Sequence, residues 1–220
     1  LEKRADDIIE IIEKAQQPDG DLNTYFTIKE PEHRWQNLQE GHELYCAGHM
    51  MEAAVAYYQA TGKDKLLHVM ERMADHIISR FGEGKERGKN PNYFYEEKQK
   101  RGWIHFGQYG MDPLDTKYAQ VYKPIYEQDK AVGHAVRATY MYTAMADLAG
   151  EDNDEKLYQA CKRLWNNIVN QRMYLTGGIG STTDGEAFSE DYDLPNDMAY
   201  AETCASIAMV FFAKRMLNIE

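Results

Sequence analysis

The chain predicts an all-α fold of paired antiparallel helices, of the kind that closes into an (α/α) toroid. Several stretches place apolar residues three and four apart with charged residues between them. A helix–turn–helix pattern occurs twice. No alternating run long enough for a strand competes. At 220 residues the chain is long enough for one sizeable core, read here as a single helical toroid domain over 1–220.

Residues 3–16 predict a helix, with Ile8, Ile9, Ile11 and Ile12 forming an apolar stripe, and Pro18-Asp19-Gly20 stops it. Residues 21–28 read as a short extended segment. A second helix is expected over 38–61, ending at Gly62. A third spans 63–81, where Leu66, Leu67, Val69, Met70, Met73, Ile77 and Ile78 keep helical spacing. Residues 82–127, rich in Gly, Tyr, Lys and Pro, read mostly as a long loop. Helices follow at 128–149, 153–171 and 197–218, the last with Asn196 or Asp197 as its cap after Pro195. In the repeat, Gly48-His49 and Gly133-His134 each open a first helix. The second helices end in Asp75-His76-Ile77-Ile78 and Asn166-Asn167-Ile168-Val169.

A net charge of −11 leaves no basic stripe for nucleic acid and disfavours anionic membrane surfaces. No apolar run approaches the roughly 20 residues of a membrane span. The charged opening LEKRADDIIE does not read as a signal peptide; it reads as mid-protein sequence. Cys46, Cys161 and Cys204 are too few and too odd for a disulfide framework, which predicts a reducing, cytoplasmic setting.

The segment 185–204, GEAFSEDYDLPNDMAYAETC, crowds six carboxylates among Phe188, Tyr192 and Tyr200, just after the glycine turn TGGIGS at 176–181. Carboxylates among aromatics suit a sugar-cleaving or metal-binding pocket, and a solvated acidic loop is the bland alternative. Glycoside hydrolysis needs a protonated acid on the leaving oxygen. Glu186, between Gly185 and Ala187-Phe188, has an apolar setting that could hold that proton. Asp191 and Asp193 are weaker candidates. His42, His49 and His134 lie at or near predicted helix starts, where they could bond sugar hydroxyls or simply cap a helix. Glu202 and Cys204 offer a carboxylate and a thiol suited to zinc. Positions two apart on a regular helix point roughly 200° apart, however, and a core thiol is the other reading of Cys204.

The strings HELYCAGHMMEAAVAYYQATG, AVGHAVRATYMYTAMA, RMYLTGGIGSTTDGEAF, DYDLPND and YAETCASIAM together resemble glycoside hydrolase family 127, the bacterial β-L-arabinofuranosidases. The resemblance implies an (α/α)6-type toroid, incomplete in this chain, followed by β-sandwich domains. It implies retaining hydrolysis with a zinc-held cysteine thiolate as nucleophile and a glutamate as acid/base. By the same resemblance Glu186 matches the acid/base, Glu202 and Cys204 match two zinc ligands, and His42 and His134 match sugar-contacting histidines. It gives no role to Cys46 or Cys161. The family's nucleophilic cysteine and its neighbouring ligand cysteine are expected beyond Glu220. A further helix hairpin is expected in relatives between the counterparts of Glu86 and Arg87. The expected partner is an arabinoside or arabino-oligosaccharide, with zinc as cofactor of the complete enzyme. A non-catalytic sugar-binding toroid and a self-associating αα scaffold are the alternatives.

Overall fold

The structure is a computed structural model and describes residues 1–36, 41–81, 116–118 and 120–220. It is mostly helical and divides into two units, Leu1–Glu97 and Lys98–Glu220. The expected loop at 82–127 falls largely outside the described residues, as does the place of the expected missing hairpin.

The first unit holds α1 (Glu2–Ala15), α2 (Thr24–Lys29), α3 (Glu43–Thr61) and α4 (Lys65–Arg80). Helices α3 and α4 form an antiparallel hairpin, and α1 packs on α4. Ile9, Trp35, Ala47, Ala54, Leu66, Val69, Met70 and Met73 make its core. Each large side chain among them contributes about 1.5–3 kcal/mol by leaving water. The α3–α4 turn uses Gly62 at φ 72, whose N–H bonds the Tyr58 carbonyl. Polar ties finish the packing: the Tyr57 hydroxyl donates to Asp6 at 2.6 Å, and Gln16 Nε2 donates to the Val69 carbonyl at 2.7 Å.

Two expectations change here. Residues 24–29 are helical, not extended, because the Asn23 side chain accepts from the Phe26 N–H at 3.0 Å and caps a turn that buries Phe26. The second helix begins at Glu43, since His42 is left-handed at φ 53 and cannot continue a helix backwards.

The second unit holds α5 (Ala135–Glu151), α6 (Glu155–Asn167) and α7 (Thr203–Ile219). A two-residue antiparallel ribbon pairs β1 (Gly133–His134) with β2 (Ala187–Phe188). Helix α5 packs against both α6 and α7. Its alanines 135, 138, 146 and 149 are buried, as are Ala205 and Ala208 of α7; such short side chains permit close axes. Tyr142, Leu164, Ile168, Met209 and Phe212 fill the remaining core. After α6 the chain widens into a π-turn, Ile168–Arg172, which turns Arg172 inward to 4% exposure.

The helix expected from 128 starts at Ala135, because Gly133 and His134 are taken by the ribbon. A Cβ at Gly133, where φ is 71, would lie 2.3 Å from the Tyr118 carbonyl oxygen. The helix expected from 197 starts at Thr203, capped by neither Asn196 nor Asp197. Tyr200 and Ala201 instead donate their N–H groups to the Ser181 and Gly180 carbonyls, at 3.3 and 2.8 Å. These bonds hold Ala201 at φ 40 and keep the chain out of the helix until Glu202. Thus TGGIGS is the platform for the segment leading into α7.

Candidate functional site

The ribbon brings chain positions far apart in sequence into contact. His134, paired with Ala187, places its ring beside Glu186, and His134 Nε2 lies 3.3 Å from Glu186 Oε2. His134 also caps α5: its Nδ1 accepts the Arg137 N–H at 3.2 Å. Nδ1 therefore carries a lone pair, and in the neutral ring Nε2 holds the proton and donates it to Glu186. Burial, helped by the Arg137 charge, pulls His134 below its ordinary value, with Glu186 opposing. A neutral ring near pH 7 follows.

Glu186 follows Gly185, and both are left-handed, at φ 53 and 65. Two such residues in succession turn the backbone sharply at the carboxylate; strain of this kind clusters at functional positions. The other carboxylate oxygen, Oε1, accepts from the Tyr200 hydroxyl at 2.7 Å. That bond, then burial, then the Glu186 charge raise the Tyr200 phenol, and Glu202 adds to the rise. Ala187 and Phe188 are buried, but Glu186 itself faces two donors. The apolar setting expected from its sequence neighbours is therefore not what its carboxylate meets.

Glu202 reaches the same tyrosine. Its carboxyl is raised by burial and by the negative charge of Glu186, with the Tyr200 hydroxyl pulling the other way. Its backbone is extended, at φ −64 and ψ 153. Glu202 therefore precedes the helix while Cys204 sits in its first turn, which removes the objection from helical spacing. Cys204 is exposed, whereas Cys161 is buried in the core, its thiol pushed up to about 11 by burial. Among the described residues no group of three or more His, Cys, Asp or Glu side chains is placed to hold a metal ion. Glu202 and Cys204 offer two donors where structural zinc wants about four, so the described residues do not complete a zinc site.

The remaining candidates separate. His42 belongs to the first unit, where it stands just before α3 without a side-chain capping bond and its ring meets Tyr45 edge-on at 5.9 Å. His49 lies inside α3, not at its start, its ring tilted against Tyr45 at 4.3 Å. The repeat is therefore framed by Gly41-His42 and Gly133-His134. His76 is structural: its Nε2 accepts from the Trp35 indole at 3.0 Å, and its Nδ1 bonds the Asp19 carbonyl. Asp191 is taken by Arg172, Lys130 and Asn167, and Asp193 lends its carbonyl to Ser189. A cavity of about 620 Å³ lies beside the ribbon, walled by Tyr118, Tyr122, Gly133, Arg172 and Phe188 among others. Neither Glu186 nor His134 lines it.

Tyr200 carried no role in the sequence reading. Its signal is faint: a tyrosine two residues before a site glutamate, in a segment too glycine-bound to be helix.

The second unit is thus a helical body that holds a carboxyl group between an imidazole and a phenol. The chain belongs to the family of the β-L-arabinofuranosidase GH127 catalytic domain, whose pattern it matches over residues 1–220. It is 38% identical to the non-reducing end β-L-arabinofuranosidase of Bifidobacterium longum subsp. longum, over all of this chain and 40% of that protein. That alignment runs over 260 residues against the 220 here. A solved GH127 β-L-arabinofuranosidase from Geobacillus stearothermophilus T6 is similar at 49% identity and a TM-score of 0.81, again over 100% of this chain and 40% of that one. A GH127 β-arabinofuranosidase structure matches at 38% identity and a TM-score of 0.74, over 100% of this chain and 38% of that one. The chain thus spans about two fifths of the length of these relatives.

Proposed function

We propose that this chain contributes the acid/base part of a retaining glycoside hydrolase acting on β-L-arabinofuranosides. The observation that carries the reading is the placement of Glu186 between His134 and Tyr200. In this reading Glu186, protonated, gives its proton to the leaving glycosidic oxygen and then takes one from the hydrolytic water. His134 and Tyr200 fix the plane of the carboxyl group, and His134 and His42 bind sugar hydroxyls. Glu202 and Cys204 would supply two donors to a zinc ion whose other ligands lie outside the described residues; such an ion acidifies a bound thiol. The frame is read as part of an (α/α)6-type toroid.

The family relatives and the site geometry support this reading, and calorimetry tests it. The 220-residue chain is expected to bind L-arabinose weakly and to lose that binding in His134→Ala. No binding by the wild type would remove the sugar-site reading. Turnover of a β-L-arabinofuranoside by the same chain is expected to be no greater than in Glu186→Gln. Clear turnover above that control would show that two zinc donors suffice, or that another nucleophile acts.

A further inference from the structure

The glycine turn at 176–181 leads into a short run, 179–182, that meets all three members of the Glu186 grip through the chain around them. Ile179 is buried in the core and bridges to Met173. Gly180, at φ 81, lies against the start of α5: a Cβ there would come within 3.0 Å of the Cβ of Ala135, the residue after His134. The Thr182 N–H donates to the Ala187 carbonyl at 3.3 Å, and the Ala187 N–H donates to the Thr182 carbonyl at 3.2 Å. That pair closes the turn made by the left-handed Gly185 and Glu186. The Ser181 carbonyl accepts the Tyr200 N–H at 3.3 Å, and the Gly180 carbonyl accepts the Ala201 N–H at 2.8 Å.

Ser181 adds a side chain to this backbone frame. It is 4% exposed, so its hydroxyl needs a partner inside the fold. It bonds the Ser189 hydroxyl. The Ser189 hydroxyl donates to the Asp193 carbonyl at 3.0 Å, which leaves its oxygen as the acceptor and Ser181 as the donor. The hydroxyl protons thus point one way, from Ser181 through Ser189 to the Asp193 carbonyl. Ser189 lies three residues beyond Glu186, at the end of the segment that follows the carboxylate. The ribbon sets Glu186 against His134. Ser181 sets it against Tyr200, because one residue holds the phenol's segment by its carbonyl and the carboxylate's segment by its hydroxyl.

We propose that Ser181 is a positioning residue for the acid/base carboxyl: its hydroxyl, acting through Ser189, keeps the Glu186 segment aligned with the Tyr200 segment so that the phenol meets Oε1. The inference rests on the glycoside reading above and adds to its machinery a residue whose hydroxyl is committed to Ser189 and not to the carboxylate. A misplacement of about 1 Å at a reacting group can cost on the order of 100-fold in rate. A carboxyl group that must aim at a glycosidic oxygen therefore needs supports that are themselves locked. Ser181 is locked on both counts, with its hydroxyl given to Ser189 and its carbonyl taken by Tyr200.

A double-mutant cycle between Tyr200→Phe and Glu186→Gln, read by chemical denaturation of the 220-residue chain, measures how well the phenol and the carboxyl group meet. In a Ser181→Ala background that coupling is expected to fall to less than about half of its wild-type value. A hydroxyl that merely stabilised the fold would lower all four proteins alike and leave the coupling intact. Ser189→Ala removes the acceptor and should shrink the coupling as Ser181→Ala does. Ser189→Thr, which keeps a hydroxyl, should retain most of it. Ser189 is less buried than Ser181, so its alanine variant decides the matter if Ser181→Ala does not fold, and circular dichroism establishes folding. An undiminished coupling in either folded alanine variant overturns the assignment and leaves the glycoside reading standing. Coupling absent from the wild type overturns the assignment as well. No binding of L-arabinose by the wild type in calorimetry removes the glycoside reading, and the assignment falls with it.

Discussion

Glu186 is held as few carboxylates are, with one oxygen on a phenol and the other on an imidazole N–H. A hydrogen bond to a charged group contributes about 1.5–3 kcal/mol when well formed, and less where water competes. Tyr200→Phe should therefore lower the stability of the chain by about 1 kcal/mol at pH 7, and Glu186→Gln by a similar amount. The double variant should cost clearly less than the sum, because the two act on one bond. Chemical denaturation of the four proteins reads this directly, and strict additivity would mean that the bond is not made in solution. The sequence singles out Glu186 and His134 because each sits in a string dense enough to recognise, and the structure brings the two side chains together. The contact of Tyr200 with Glu186 was not legible, because it spans 14 residues that no local pattern encodes.

At the scale of elements, helices with strong apolar stripes were readable to within a few residues, α1, α4 and α6 above all. Their ends were not, wherever a backbone of reversed hand intervened. The dipeptide Gly-His occurs at 41–42, just before α3, and again at 48–49 inside it, and only the left-handed turn at His42 marks which one opens the helix. Residues 24–29 misled because their β-branched and aromatic composition suits a strand, while one cap at Asn23 decides for a helix. The loop carrying Glu186 is fastened by another element junction: the π-turn sends Arg172 to Asp191 and to the Ser189 carbonyl. Burial works to raise Asp191, but bonds from Lys130, Asn167 and Arg172 outweigh it and bring the carboxyl down to about 2. A folded value below the ordinary 3.8 stabilises the fold at higher pH and is lost as pH falls through the folded value. The chain should thus lose about 2 kcal/mol between pH 4 and pH 2 through this group. Asp191→Asn should flatten that part of the stability–pH curve, and an unchanged curve would assign the acid sensitivity elsewhere.

For the whole molecule, composition set firm limits. A chain of net charge −11 is expected to pass through a heparin column at neutral pH without retention. Its surface also carries apolar residues: Ile207, Val210 and Leu217 lie along one side of α7 at 46, 65 and 78% exposure. Exposed side chains of this kind favour association. Light scattering at tens of micromolar is expected to show dimers or larger species, reduced by Val210→Asp with Leu217→Asp. A monodisperse monomer would count against it. The division into two units, each with its own buried cluster, could not be drawn from periodicity, which marks helices but not their groupings.

The grip on Glu186 has a temporal consequence. Its two holders come from opposite directions along the chain, His134 fifty-two residues before it and Tyr200 fourteen after. During synthesis the α5–α6 hairpin leaves the ribosome first, with the imidazole already in place as a helix cap. The carboxylate follows, tethered on one oxygen only. Until Tyr200 is added and the Ala201 N–H meets the Gly180 carbonyl, the carboxylate of a nascent chain has one holder and no fixed aim, so the complete grip on Glu186 forms after the α5–α6 hairpin.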